Sequence, residues 1–303
     1  MPTVRANGID VAYESLGHDR DPAILLIHGL NTPLTGWPDS LCEGLVRRGF
    51  RVVRFDNRDA GRSTILSRLG TPDISSMVAK IEAGQKIRAP YSLDDMAADA
   101  AALLDALDID RANVVGASMG GMIAQLVAIN HPAKAKSLVS IMSSTARRGL
   151  PPPDPDAMRA LMALPASPSR EDRITAALAA VKAIGGSSFP ASDEERRAYL
   201  GRSIDRTSFD PAAAARQMAA IVTASPRDGR LKVVRIPTLV IHGAVDPIMP
   251  AAHGEDTARS IPGAELLIVP GLGHDFTEWA ARTYLQAIGD FVAKVEERAS
   301  VAS

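Results

Sequence analysis

VVGASMGG (114–121) runs from two β-branched residues through Gly116, Ala117, Ser118, Met119, Gly120 and Gly121 into a long apolar segment. Small residues crowd a single serine between a predicted strand and a predicted helix. The stretch fits G-x-S-x-G. A serine on so sharp a turn has strained backbone angles, and its neighbours must be small to give clearance. The turn lifts the hydroxyl above the sheet, and the following helix points its free N–H groups and positive dipole end at the same spot. Five residues can match by chance, so the plain alternative is a turn serine. Placement between strand and helix favours a nucleophile.

The flanking sequence repeats the same alternation. Residues 3–15 alternate in polarity around Asn7-Gly8, which signals a hairpin. AILLIHG (23–29) and RVVRFD (51–56) are continuous apolar runs, as expected of strands buried on both faces. Between them, Leu41, Leu45 and Val46 recur at helical spacing over 38–48. YSLDDMAADAAALLDALDI (91–109) predicts a helix, with Ser92 as N-cap, Asp94 and Asp95 in the first turn, and an apolar stripe from Met96 to Leu107. A helix over 119–130 and strands over 137–143, 238–243 and 264–271 follow. A C-terminal helix carries Trp279, Tyr284, Leu285 and Phe291. Strands alternating with helices imply an α/β fold: a mostly parallel central sheet with helices on both faces and antiparallel strands at one edge.

Residues 145–231 break the alternation. LPPPDPD (150–156) leads into alanine-rich helical segments, ITAALAAVKAI and PAAAARQMAAIV, with no clear strand. We expect a core of residues 1–144 and 232–303 with a helical cap inserted at 145–231. An insertion following a central strand lies on the ligand side of an open sheet, which favours a lid over a surface excursion.

The chain has 303 residues, 46% of them apolar, enough for a substantial core. A net charge of −1 argues against nucleic acid or an anionic membrane as partner. No window approaches the roughly 18 apolar residues of a membrane span. The N-terminal stretch has no secretory pattern, so a cytoplasmic protein is expected. Cys42 is the single cysteine; no intramolecular disulfide can form, and a small buried residue is its ordinary role. Metal-ligand spacings, a dinucleotide fingerprint and a P-loop are all missing from the sequence, and nothing in the pattern sets an oligomeric state.

A serine nucleophile needs a base. Of six histidines, His274 in VPGLGHDF stands on a Gly-rich loop after the last predicted strand, where it can lean over the sheet. His28 and His242 end buried strands and read as structural; His18, His131 and His253 read as surface residues. An imidazole acts as base only when neutral, so activity is expected to fall below roughly pH 6–7. The base needs a carboxylate to fix its tautomer. Asp246 in VIHGAVDPIMP follows the preceding strand, and the order Ser118, Asp246, His274 suits this architecture. Asp275 is adjacent to the histidine and poorly placed to reach back to its ring. Two backbone donors are required for an oxyanion. Met119 N–H is one and Leu30 N–H, after LLIHG, the other. Trp37 on the same loop is either a pocket wall or a core anchor. Asp56 and Arg58 in FDNRDAGRST read as a structural ion pair.

Together HGLNTPLTGW, DNRDAGRS, GASMGG, HGAVDPI and PGLGH resemble the α/β-hydrolase superfamily over about residues 4–145 and 232–295. The spacing from Gly36 to Thr64 is similar to the polyketide methylesterase and small carboxylesterase branch. The resemblance implies a Ser118–Asp246–His274 triad, an oxyanion hole at Leu30 and Met119, and no cofactor. Dehalogenases and epoxide hydrolases have Asp where this chain has Ser118, and proline iminopeptidases have Trp in place of Met119. Cofactor-free perhydrolases and C–C bond hydrolases share the motif set. The leading expectation is a serine hydrolase of small-molecule carboxylic esters. A non-catalytic binding protein on the same fold would ordinarily have lost a triad member.

Overall fold

The computed structural model describes residues 2–186, 191–276 and 278–302. Its strands are β1 (Thr3–Ala6), β2 (Ile9–Leu16), β3 (Ala23–Ile27), β4 (Arg51–Phe55), β5 (Ala112–Ala117), β6 (Ala135–Ile141), β7 (Thr238–Gly243) and β8 (Glu265–Val269). The helices are α1 (Asp39–Arg47), α2 (Ile74–Glu82), α3 (Leu93–Ala106), α4 (Met119–Asn130), α5 (Pro155–Leu161), α6 (Arg170–Ile184), α7 (Asp193–Arg206), α8 (Pro211–Val222), α9 (Asp228–Leu231), α10 (Ala252–Ser260) and α11 (Glu278–Ala302). The Trp279 side chain lies outside the described residues.

The strands form one sheet in the order β1-β2-β4-β3-β5-β6-β7-β8. β1 and β2 pair antiparallel, as do β2 and β4; every other pairing is parallel. The β1–β2 turn is Asn7-Gly8, both at positive φ (47° and 78°), which gives the tight reversal that right-twisted strands need. Every residue of β3, β4, β5 and β7 is buried, because helices cover both faces.

Side chains alternate between two cores. Leu25, Ile27, Val53 and Val114 pack with Met96 and Leu103 of α3 and Ile123 of α4. Ile24, Leu26, Val52 and Val115 pack with Leu41 of α1 and Tyr284 and Ile288 of α11. Each such buried side chain contributes about 2 kcal/mol of hydrophobic stabilisation, so a one-residue slip of a central strand would exchange two whole layers. α3 starts at Ser92, whose hydroxyl accepts from Asp95 N–H while the Asp95 carboxylate accepts from Ser92 N–H. That capping box fixes the point of entry.

Five helices, α5 to α9, lie between β6 and β7, with no strand among the described residues. Asp154 caps α5, accepting from the N–H groups of Asp156 and Ala157, with Pro155 in the first turn. The proline-rich stretch is thus a helix start. No helix in the described residues is long and apolar enough to cross a membrane.

Candidate active site

Ser118 stands between β5 and α4 with φ 56° and ψ −121°, a strained conformation for a residue with a side chain. Its N–H donates to Ile141 O at 2.9 Å, and its carbonyl accepts from Ser143 Oγ at 2.9 Å. The flanking glycines are required by space. A Cβ on Gly116 would lie 2.0 Å from Gly120 O, and one on Gly120 would lie 2.0 Å from Ile27 O. The helix start therefore presses against both β5 and the end of β3, leaving the serine side chain as the feature that projects.

His274 Nε2 lies 3.0 Å from Ser118 Oγ, and its Nδ1 lies 2.7 Å from Asp246 Oδ2. The carboxylate fixes the ring proton on Nδ1, so Nε2 faces the hydroxyl as an acceptor. The other Asp246 oxygen accepts from Ile248 N–H and Met249 N–H, each at 2.8 Å. Burial would raise the Asp246 carboxyl. The nearby His274, its hydrogen bond and the Met249 N–H outweigh that and hold the carboxyl below its usual range. His274 N–H donates to Ile184 O at 2.7 Å, so the end of α6 holds the histidine loop.

Met119 and Gly29, the residue before Leu30, both border the serine. Met119 opens α4 directly after Ser118. Gly29 lies against the serine, since a Cβ there would be 3.1 Å from Ser118 Cβ and 3.6 Å from Ser118 Oγ, and Leu30 is the next residue along the loop. Trp37 is fully buried, edge-on to His28 (5.2 Å between ring centroids) and to Phe276 (5.1 Å). That is the place of a core anchor.

His28 and His242 are buried at strand ends, and burial pushes His28 down to about 4 and His242 below its ordinary value, so both rings are neutral. His242 Nε2 donates to Met249 O at 2.6 Å, bracing the loop that carries Asp246. His253 is not a surface residue. It is half-buried, with ring nitrogens 2.8 Å from Ser144 Oγ and 2.9 Å from Pro151 O, because the start of the insertion folds over α10.

The Asp56–Arg58 pairing does not form. Arg58 turns to α3, where it binds Asp99 with two contacts of 2.6 Å and stacks over Tyr91. Asp56 points under its own loop, accepting from Leu34 N–H (2.7 Å) and Arg62 N–H (2.8 Å), and pairs with Arg206 of α7 at 2.7 Å. Successive loop residues diverge to different layers, and a partner 150 positions away leaves no local signal. Arg216 and Gln217 of α8 were equally invisible. Both are fully buried, with Arg216 on Asp59 at 2.7 Å.

A family model described as the alpha/beta hydrolase fold matches residues 22–281. This chain belongs to that family. Among its relatives, the rhodomycin D methylesterase of Streptomyces peucetius is 30% identical over 296 residues, covering 90% of this chain and 92% of its own. A 2-hydroxy-6-oxononadienedioate/2-hydroxy-6-oxononatrienedioate hydrolase of Cupriavidus pinatubonensis is 26% identical over 279 residues, covering 89% and 86%. The solved structure of the enol-lactonase from Burkholderia xenovorans LB400 superposes with a TM-score of 0.71 at 22% identity, covering 96% of this chain and all of the other. At that identity the likeness speaks to fold alone.

Proposed function

We propose that this hydrolytic enzyme cleaves small-molecule carboxylic esters through an acyl-enzyme on Ser118. The observation that carries the reading is the pair of hydrogen bonds running from Asp246 through His274 to Ser118, at 2.7 and 3.0 Å, on a serine held at φ 56°. Ser118 Oγ attacks the acyl carbon while His274 Nε2 takes its proton. Asp246, ionised, stabilises the imidazolium. The N–H groups of Leu30 and Met119 receive the negative charge on the carbonyl oxygen. His274 returns the proton to the departing alcohol. Water, deprotonated by the same ring, then attacks the acyl carbon, and Ser118 Oγ regains a proton as the acid leaves. Every step uses groups of this chain, and no cofactor enters.

The inserted helices act as a cap (145–231) on the core (1–144 and 232–303). Supporting this, Ile184 holds His274, and Ala157 and Ile184 pack with Ile248 beside the Asp246 loop, with Met158, Leu161 and Met249 around them. An apolar, methionine-bearing cluster beside the Asp246 loop suits an apolar ester better than a charged one. The relative named as a methylesterase is in keeping with an ester substrate. C–C bond cleavage on the same triad is the second reading, suggested by the relative that hydrolyses a dienedioate.

Methyl esters, p-nitrophenyl esters of increasing chain length and a vinylogous 1,5-diketone, assayed in parallel, separate these readings. Ester turnover is expected, falling by roughly 10⁴-fold or more in Ser118→Ala. Turnover retained in that variant would refute the serine mechanism.

A further inference from the structure

We infer that Gln217, on the inserted helix α8, is a positioning residue for the oxyanion hole; the inference rests on the serine-hydrolase reading above. Its side chain is fully buried and spans two core loops. Gln217 Oε1 accepts from Asn31 N–H at 2.7 Å, and Gln217 Nε2 donates to Arg58 O at 2.7 Å. Both partners are backbone groups, so what the amide fixes is the path of the chain.

The first of these bonds falls next to the chemistry. Asn31 has φ 52°, in the left-handed region that asparagine tolerates better than most residues, and contacts on both sides help to hold its peptide unit there. The unit joining Leu30 to Asn31 is gripped on both sides: Thr32 Oγ1 donates to Leu30 O at 2.9 Å, and Gln217 takes the Asn31 N–H. The preceding unit carries Leu30 N–H and starts from Gly29, which lies against Ser118. The two units meet at Leu30 Cα. With the second unit pinned, the Leu30 N–H can swing away from the reacting oxygen only by a turn of its own peptide plane, about ψ of Gly29 and φ of Leu30, and Thr32 N–H donates to Gly29 O of that plane at 3.4 Å. Donor placement of this kind is what an oxyanion hole supplies, since a donor aimed in advance needs no reorganisation as charge develops.

The rest of α8 is anchored independently. Arg216 binds Asp59 at 2.9 and 2.7 Å and Gly70 O at 2.9 Å, so loss of the Gln217 amide leaves the helix docked. The insertion would thus do more than cover the site. It would hold one of the two oxyanion donors through a single amide.

The test is Gln217→Leu, assayed on the best p-nitrophenyl ester, with kcat and KM resolved, together with inhibition by a phenylboronic acid as a tetrahedral analogue and the thermal midpoint. We expect kcat to fall roughly 10- to 100-fold, less than for outright loss of a donor. KM should stay within about twofold, and boronate affinity should fall by a factor comparable to kcat. A residue of purely structural importance would lower the thermal midpoint and leave kcat per titrated site and boronate affinity unchanged; that result overturns the inference, as does an unaltered kcat. Should Gln217→Leu not fold, Gln217→Asn, whose shorter amide cannot reach both loops, is held to the same criteria. Ser118→Ala is assayed beside them. Retained turnover there refutes the serine reading and the inference together, whereas a silent Ser118→Ala with a normal Gln217 variant refutes the inference alone.

Discussion

Asp275 follows His274 directly and is buried, yet neither of its carboxylate oxygens meets a hydrogen-bond donor among the described residues. Burial pushes its carboxyl up to about 6, the charge of Arg196 and the neighbouring His274 ring pull it partly back, and Asp246 adds to the rise. The folded protein therefore holds this proton more tightly than the unfolded chain, where a carboxyl titrates near 3.9. Stability falls as pH rises from about 4 to about 6, and the cost is fully present above 6, of order 2 to 3 kcal/mol. Asp275→Asn should be more stable than the parent at pH 7.5 by about that amount, with the difference closing near pH 4. Urea unfolding of both proteins at the two pH values measures it; equal stability at pH 7.5 would contradict the account. At this scale the sequence exposes a residue when a motif surrounds it. Ser118, Asp246 and His274 each follow a strand with a glycine at or next to its end or in the loop after it, and the structure brings them together. Asp275 carries no such mark, and neither does Gln217, because their surroundings come from segments distant in sequence.

At the scale of elements, the inserted helices are fastened to the core by buried charge. Arg206 reaches Asp56 and Arg216 reaches Asp59, while Arg227 donates to Gln125 Oε1 at 3.0 Å and Ser144 O at 2.7 Å. Removing one partner of such a pair leaves the other charge stranded without solvent, which costs more than the intact pair contributes. Arg206→Met should therefore lose about 3 kcal/mol of stability, read as a lower urea midpoint; an unchanged midpoint would show that Asp56 is satisfied by Leu34 and Arg62 alone. The central strands were legible because parallel strands buried on both faces read as unbroken apolar runs. Predicted strand ends overran into the loops at His28-Gly29 and Asp56, where buried residues continue past the ladder. Two helices, α2 and α10, do not stand out in the sequence. α10 buries Gly254, Asp256, Thr257 and Ser260, so it has no apolar stripe to detect, whereas α2 places Ile74, Met77, Val78 and Ile81 on one half-buried face, a short stripe without a fully buried residue.

For the molecule as a whole, the parallel strands β5, β7 and β8 deliver Ser118, Asp246 and His274 to the carboxyl-terminal end of the sheet, β3 leads into the Leu30 loop, and Ile184 at the end of α6 accepts from His274 N–H. Residues 156 positions apart meet within 3.0 Å because each strand ends at the same level. The architecture supports one central claim: Ser118 is a nucleophile activated by its surroundings. Its most direct test is covalent. After incubation with a fluorophosphonate, intact mass and peptide mapping should show one adduct per chain, on the peptide containing Ser118, formed in the native protein, absent after denaturation and absent in Ser118→Ala. An adduct on another residue, or an unmodified Ser118 in enzyme that still turns over ester, would contradict it.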